Sequence, residues 1–238
     1  MTADPRLIVP LDLPTVDDAR DMVERLGDAV SFYKIGLELL ASDGMTLARE
    51  LKASGKSIFL DWKLHDIGAT VERSARVLAT SGCDLLTVHA EPQVMRAAVK
   101  ARGDSSLKDS GLKILAVTVL TSLTDADLLE MGYAFGARDL VERRVRQAIE
   151  CGVDGIVSSP HEAALAREIA KEAGRPDFLI VTPGVRPFWS AKNDQARAAT
   201  PEAAIRAGAS HLVCGRPITA ANDPREAALK VAAEIAGL

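Results

Sequence analysis

The chain repeats one unit from end to end: an apolar strand-like run, a helix-like segment, and a small-residue turn that leads into the next run. Six of these turns carry a glycine, at Gly27, Gly55, Gly82, Gly152, Gly174 and Gly208. Helices commonly stop on a residue with a left-handed backbone, which glycine adopts at least cost. Strand runs are read at 7–12, 31–36, 57–63, 85–90, 113–120, 155–159, 178–184 and 211–216. Helices are expected at 15–26, 43–54, 69–81, 92–101, 138–151, 161–173, 201–207 and 223–236, with cap residues or an early proline at Thr15, Asp43, Thr200-Pro201 and Asn222-Asp223-Pro224. Eight such units in 238 residues predict an α/β fold, the (β/α)8 TIM barrel, which usually takes about 250 residues. A doubly wound open sheet fits less well, because no GxGxxG follows the first strand and such sheets usually have about six strands. No linker or compositional break divides the repeat, so residues 1–238 are read as one domain.

A barrel makes a statement about chemistry, since its active-site groups sit at the C-terminal ends of the strands and in the loops beyond. Polar residues fall there: Asp12 at the end of strand one, Lys34 late in strand two, Asp61 and Lys63 at the end of strand three, and His89 at the end of strand four. Thr118 and Thr121, Ser158 and Ser159, Thr182 and Arg186, and Gly215 and Arg216 continue the series. The densest stretch is Asp61-Trp62-Lys63-Leu64-His65-Asp66. Strand alternation sends Asp61 and Lys63 to one face and Trp62 to the other. A buried pair of opposite charges is costly to desolvate. It is either a structural ion pair closing the barrel end or part of a charge network, and Asp66 as a third charge favours the network. Such an array suits a reaction that places a cation beside developing negative charge.

Composition narrows the partners. A formal charge of −4, with arginine and lysine spread among acidic residues, leaves no basic footprint for nucleic acid. The start of the chain lacks a basic then apolar segment, and no apolar run is long enough to cross a bilayer. Cys83, Cys151 and Cys214 have no metal-like spacing and read as reduced thiols, so a cytoplasmic protein is expected. His65, His89, His161 and His211 also lack ligand spacing, which argues against zinc; carboxylates from separate strands leave magnesium open. His89 is expected to be a hydrogen-bonded supporting residue. The stretch 132–136 reads as a loop closing against the barrel wall.

The tail of strand eight, Val213-Cys214-Gly215-Arg216-Pro217-Ile218-Thr219, reads as a strand, a tight turn and a short helix. In barrels this place, with the loop after strand seven, often holds phosphate. Arg216 would add a bidentate donor. The long seventh loop, from Pro183 through Gln195, is the candidate lid, with Arg186 and Gln195 as donors and Phe188 and Trp189 as packing residues.

The segment Phe59-Leu60-Asp61-Trp62-Lys63-Leu64-His65-Asp66-Ile67 resembles the signature of the orotidine 5'-phosphate decarboxylase family in its bacterial form. The resemblance continues through Leu11-Asp12, Tyr33-Lys34-Ile35-Gly36, Val117 to Ser122, Thr182 to Arg186, Asp194-Gln195 and Val213 to Ile218. It implies a decarboxylase that makes UMP with neither cofactor nor metal, working as a homodimer of barrels. By this similarity Asp61 lies beside the substrate carboxylate, and Lys63 stabilises and then protonates C6 of the pyrimidine. Asp12 and Lys34 bind the ribose, Thr121 the pyrimidine, and Arg186, Gln195, Gly215 and Arg216 the phosphate. Asp66, Ile67 and Thr70 reach the neighbouring subunit's site. The family pattern commonly continues with Pro-Asn-Thr where this chain has Gly68-Ala69-Thr70, which implies a more flexible loop with one amide fewer. Magnesium-dependent sugar-phosphate decarboxylases and aldolases, acting on 3-keto-gulonate 6-phosphate or hexulose 6-phosphate, share the Asp-x-Lys-x-x-Asp arrangement. Lys34 and the long seventh loop favour the nucleotide enzyme.

Overall fold

A computed structural model describes residues 3–104, 110–190 and 199–237. Eight parallel strands close into a barrel in sequence order: β1 (Leu7–Pro10), β2 (Phe32–Ile35), β3 (Ser57–Leu64), β4 (Leu85–His89), β5 (Lys113–Val117), β6 (Gly155–Val157), β7 (Leu179–Pro183) and β8 (His211–Val213). Closure comes from β8 pairing with β1, in the register Leu7 with Leu212 and Ile8 with Val213. The helices are α1 (Val16–Leu26), α2 (Leu37–Leu40), α3 (Gly44–Ala53), α4 (Gly68–Ala79), α5 (Pro92–Arg102), α6 (Asp125–Glu130), α7 (Ala137–Glu150), α8 (Ala163–Glu172), α9 (Pro201–Arg206), α10 (Arg216–Thr219) and α11 (Pro224–Ala236).

All six turn glycines named above have positive φ, so the repeat legible in the sequence is a repeat of left-handed helix stops. Two cores result. Ile8, Phe32, Phe59, Leu85, Leu115, Val181 and Val213 fill the barrel interior, while the alternate strand residues join the larger layer beneath the helices. The three short helices α2, α6 and α10 sit in loops beyond strand ends. Of these only α10 was expected; α6 carries a capping box between Thr124 and Asp127 that escaped the reading of the sequence.

Several boundaries differ from expectation. Strands β5, β6 and β8 stop at Val117, Val157 and Val213, though the next residue of each, Thr118, Ser158 and Cys214, still donates its N–H to the neighbouring strand. Asp43 is left-handed, with φ 66°, and its side chain caps no helix; it accepts instead from the Thr46 hydroxyl at 2.9 Å. Thr15, Thr200 and Asp223 do cap their helices. Residues 68–70 form the first turn of α4, so the departure from the family pattern falls inside a helix start. The loop at Tyr133 is tied to α7 by Arg144, which donates to the Tyr133 hydroxyl at 3.0 Å and to the Thr118 carbonyl.

The N-terminal face carries a two-strand repeat of its own. One residue ahead of β4, Asp84 accepts the Ile58 N–H at 2.7 Å and is gripped by Lys52 of α3 at 2.9 Å. Ahead of β6, Asp154 accepts the Ile114 N–H at 2.8 Å and pairs with Arg102 of α5. Ahead of β8, Ser210 accepts the Ile180 N–H at 3.0 Å and a bond from Arg167 of α8 at 3.1 Å. Each device satisfies an entering strand's donor and fixes a helix to it.

His211, at the entrance of β8, packs edge-on against Phe32 with ring centroids 5.8 Å apart, and its Nδ1 is buried without a partner among the described residues. Burial pushes its imidazole down to about 4, helped by Lys113 and Arg6 and opposed by Asp4. The unfolded chain therefore takes up this proton first as pH falls below about 6.5. The stabilisation is whole above that pH and is lost on the way down to about 4, amounting to on the order of 2 kcal/mol for a partly exposed group. Thermal melts should accordingly show His211→Gln losing less stability than wild type between pH 6.5 and 4. Parallel losses in the two proteins would show that His211 does not govern this window.

Candidate active site

Strand β3 does not run regularly to its end. Leu60 pairs with Leu86 and Leu64 with Val88, so Asp61, Trp62 and Lys63 together stand opposite the single residue Thr87 of β4. Lys63 takes the bulge in a left-handed backbone, φ 47°. Trp62 turns into the helix-facing core, while Asp61 and Lys63 stay on the mouth side with Nζ 2.9 Å from Oδ1. The expected pairing is present, but a bulge makes it rather than simple alternation.

From that pair an alternating row of charge runs across three strands. Lys34 Nζ lies 3.5 Å from Asp61 Oδ2 and 2.8 Å from Asp12 Oδ1. The order is Asp12, Lys34, Asp61, Lys63, and exposure falls from 51% at the Asp12 side chain to 9% at Lys34. Burial pushes the Asp61 carboxyl up, but Lys34 and Lys63, with hydrogen bonds from Lys63 and Thr87, outweigh it and hold the group below the usual carboxylate range. Each buried charge thus has an opposite neighbour, without which its desolvation would cost several kcal/mol. Gly36 makes room for the row: a Cβ there would lie 2.7 Å from Asp12 Oδ1 and 3.0 Å from Lys34 Nζ. That requirement was not legible in the sequence.

The row forms one wall of a cavity of about 620 Å³ at the C-terminal end of the barrel. Phe59 lies at its floor side, and Thr121, Arg186, Gly215 and Arg216 line it from the loops after β5, β7 and β8. Two arginines thus share one cavity with the charged row. Arg186 is anchored through its backbone N–H to the Ala199 carbonyl at 2.9 Å, and its Nη1 donates to the Val185 carbonyl at 2.9 Å. Gly215 opens directly into α10, as its sequence predicts. Glu38 of α2 also lines the cavity, a residue that reading the sequence missed because nothing marked 37–40 as a helix at the mouth.

The same residues carry the comparison with known proteins. A model of the Orotidine 5'-phosphate decarboxylase / HUMPS family matches residues 5–231. The chain belongs to this family. It is 89% identical over 238 residues, the whole of both chains, to the orotidine 5'-phosphate decarboxylase of Caulobacter vibrioides. It is 57% identical to that of Rhodopseudomonas palustris, with 97% of this chain and 94% of the relative covered. The crystal structure of orotidine 5'-phosphate decarboxylase from Lactobacillus acidophilus superposes with a TM-score of 0.82 at 35% identity, covering 98% of this chain and 99% of that one.

Within the family frame the remaining site residues divide. Asp12, Lys34, Asp61, Lys63, Thr121, Arg186, Gly215 and Arg216 meet at one cavity; Asp66, Ile67 and Thr70 do not line it. Asp66 is therefore no part of its own chain's charged row, where the fourth member is Asp12. Its carboxylate is exposed and accepts the Ile67 N–H at 2.7 Å, while Ile67 is 68% exposed. Gln195 lies outside the described residues. Phe188 does not pack in its loop as expected: it is 91% exposed, and Lys230 sits 5.8 Å over the neighbouring Trp189 ring. His89 lies against His65 with ring centroids 4.7 Å apart and planes tilted by 38°, without the expected hydrogen bond among the described residues, and His65 Nε2 lies 2.7 Å from Glu91. Desolvation lowers the affinity of His89 for a proton, against Glu91 and with His65, Arg144 and Lys63.

Among the described residues no group of three or more His, Cys, Asp or Glu side chains gathers as metal ligands would. No helix among them is long and apolar enough to cross a membrane. The three cysteines are free and buried. Burial pushes the Cys214 thiol up to about 12.

Proposed function

We propose that the chain decarboxylates orotidine 5'-monophosphate to UMP and carbon dioxide, in pyrimidine biosynthesis, without a cofactor. The observation that carries this reading is the row of Asp12, Lys34, Asp61 and Lys63 facing Arg186 and Arg216 across one cavity. The substrate carboxylate is placed beside Asp61. When the bond from C6 to the carboxyl carbon breaks, carbon dioxide leaves and the electron pair stays on C6. The Lys63 ammonium stabilises that pair and then gives C6 a proton, and solvent restores the lysine. No enolate can take up the charge, so the preset electrostatics of the site supply the stabilisation. Lys34 holds Asp61 in place from the other side.

Asp12 and Lys34 also bind the ribose hydroxyls, Thr121 the pyrimidine, and Arg186, Gln195, Gly215 and Arg216 the phosphate. Phosphate binding then contributes to the transition state from a distance. The enzyme works in the cytoplasm as a homodimer, with Asp66, Ile67 and Thr70 serving the partner's site. Their position outside their own cavity and the exposure of Ile67 support this arrangement.

Exhaustive treatment with EDTA tests the reading. Turnover of orotidine 5'-monophosphate should persist unchanged. Strict dependence on added magnesium, with turnover of a 3-keto sugar phosphate instead, would replace it with the sugar-phosphate alternative.

A further inference from the structure

The bulge in β3 needs an explanation that the substrate contacts do not provide. A lysine held at positive φ costs on the order of 1–3 kcal/mol and persists only where its surroundings over-determine it. Asp43, the other non-glycine with positive φ among the described residues, is of a type that tolerates that region, whereas lysine is not. The bulge also removes Lys63 from the regular ladder, so its N–H needs an acceptor away from water.

Thr87 supplies it. This residue is fully buried, and it faces the barrel interior between Leu85 below and His89 above. Its Oγ1 accepts the Lys63 N–H at 2.9 Å and donates to Asp61 Oδ1 at 3.1 Å, with the Leu60 carbonyl farther off at 3.5 Å. A hydroxyl can do both at once, because it carries one proton and two lone pairs. The same carboxylate oxygen receives Lys63 Nζ at 2.9 Å. Backbone N–H, threonine hydroxyl, carboxylate and ammonium therefore close a ring that begins and ends on Lys63.

We infer that Thr87 is a positioning residue for the decarboxylation: it locks the left-handed turn of Lys63 to the Asp61 carboxylate, so that ammonium and carboxylate hold one fixed relation as charge develops. This rests on the proposed function, in which Lys63 is the proton donor. Thr87 touches neither substrate nor reacting atoms. Its effect belongs to the chemical step, since phosphate and ribose contacts lie on other strands.

The experiment compares Thr87→Val, which keeps the branch and loses the hydroxyl, with Thr87→Ser, which keeps the hydroxyl and loses the methyl. Thr87→Val should lower kcat by roughly 10- to 100-fold, the worth of one or two buried charge-assisted hydrogen bonds. Its KM and its affinity for UMP should stay within about threefold of wild type, and Thr87→Ser should recover kcat to a similar margin. A purely structural role would instead lower the melting temperature and leave the kcat of the folded fraction intact; that result overturns the inference. So does a serine protein that turns over no faster than the valine protein. Should Thr87→Val not fold, Thr87→Ala is judged by the same criteria, and a Thr87→Ser protein that folds but loses kcat roughly tenfold or more overturns the inference by itself. Wild-type turnover in the same assay separates the two readings. An inactive wild type brings down the proposed function and this inference with it, whereas an active wild type beside a fully active valine protein brings down this inference alone.

Discussion

Lys63→Ala is expected to abolish turnover while leaving the nucleotide site standing. In the proposed mechanism the side chain supplies both the cation beside the developing carbanion and the proton that quenches it, and losing both should cost kcat at least about ten-thousandfold. Binding should suffer far less, because the cavity's arginines and the Asp12 and Lys34 pair do not depend on Lys63. The bulge should survive too: the bond to Thr87 comes from the Lys63 backbone, which alanine keeps. Steady-state kinetics with calorimetric titration of UMP check this, expecting no measurable kcat and an affinity within about tenfold. A variant that turns over within tenfold of wild type would remove Lys63 as proton donor.

The second large effect appears on mixing two crippled proteins. Asp66→Ala should be severely impaired, because in the proposed dimer its carboxylate serves the site of the other subunit, and Lys63→Ala should be inactive for the reason just given. In a mixed dimer one site receives Lys63 from the first protein and Asp66 from the second, and is whole; the other site lacks both. Random exchange of equal amounts makes half the dimers mixed, each with one intact site of two, so about a quarter of wild-type activity should return. Subunit exchange is followed by mass-tagged chains. If mixed dimers form and no activity returns, the site is not shared, and the exposed turn from His65 to Ile67 needs another explanation.

Much of this molecule can be read from its residues. The recurring apolar run, helix and small-residue turn announce the number and order of units, and eight units of this length leave few alternatives to a closed barrel. The apolar strand runs, five to eight residues long, also mark which polar groups reach the mouth. What the chain hides is where backbone geometry departs from its period. Nothing in Asp61-Trp62-Lys63 advertises a bulge, because the acceptor for the freed Lys63 N–H lies on β4, in the hydroxyl of Thr87. Gly36 looks like a strand end until Asp12 and Lys34 are seen to occupy the space a side chain would take. Asp43 looks like a helix cap until its own backbone turns left-handed. Asp66 reads as part of the local network because sequence proximity carries no information about which way an exposed turn faces. Phe188 reads as a packing residue on its chemistry alone, and its surface position has no account in the contacts described.

The charged row has one further consequence. Two carboxylates and two ammonium groups sum to nothing, so at a distance the row exerts little net pull on a substrate carrying a carboxylate and a phosphate. Long-range attraction falls to Arg186 and Arg216 at the mouth, and salt screens it over roughly 8–10 Å. Capture and bond cleavage are thereby assigned to different charges in different places. In the proposed binding mode the arginines recruit the nucleotide by its phosphate and deliver its carboxylate to a neutral row that would not have drawn it in, where short-range geometry takes over.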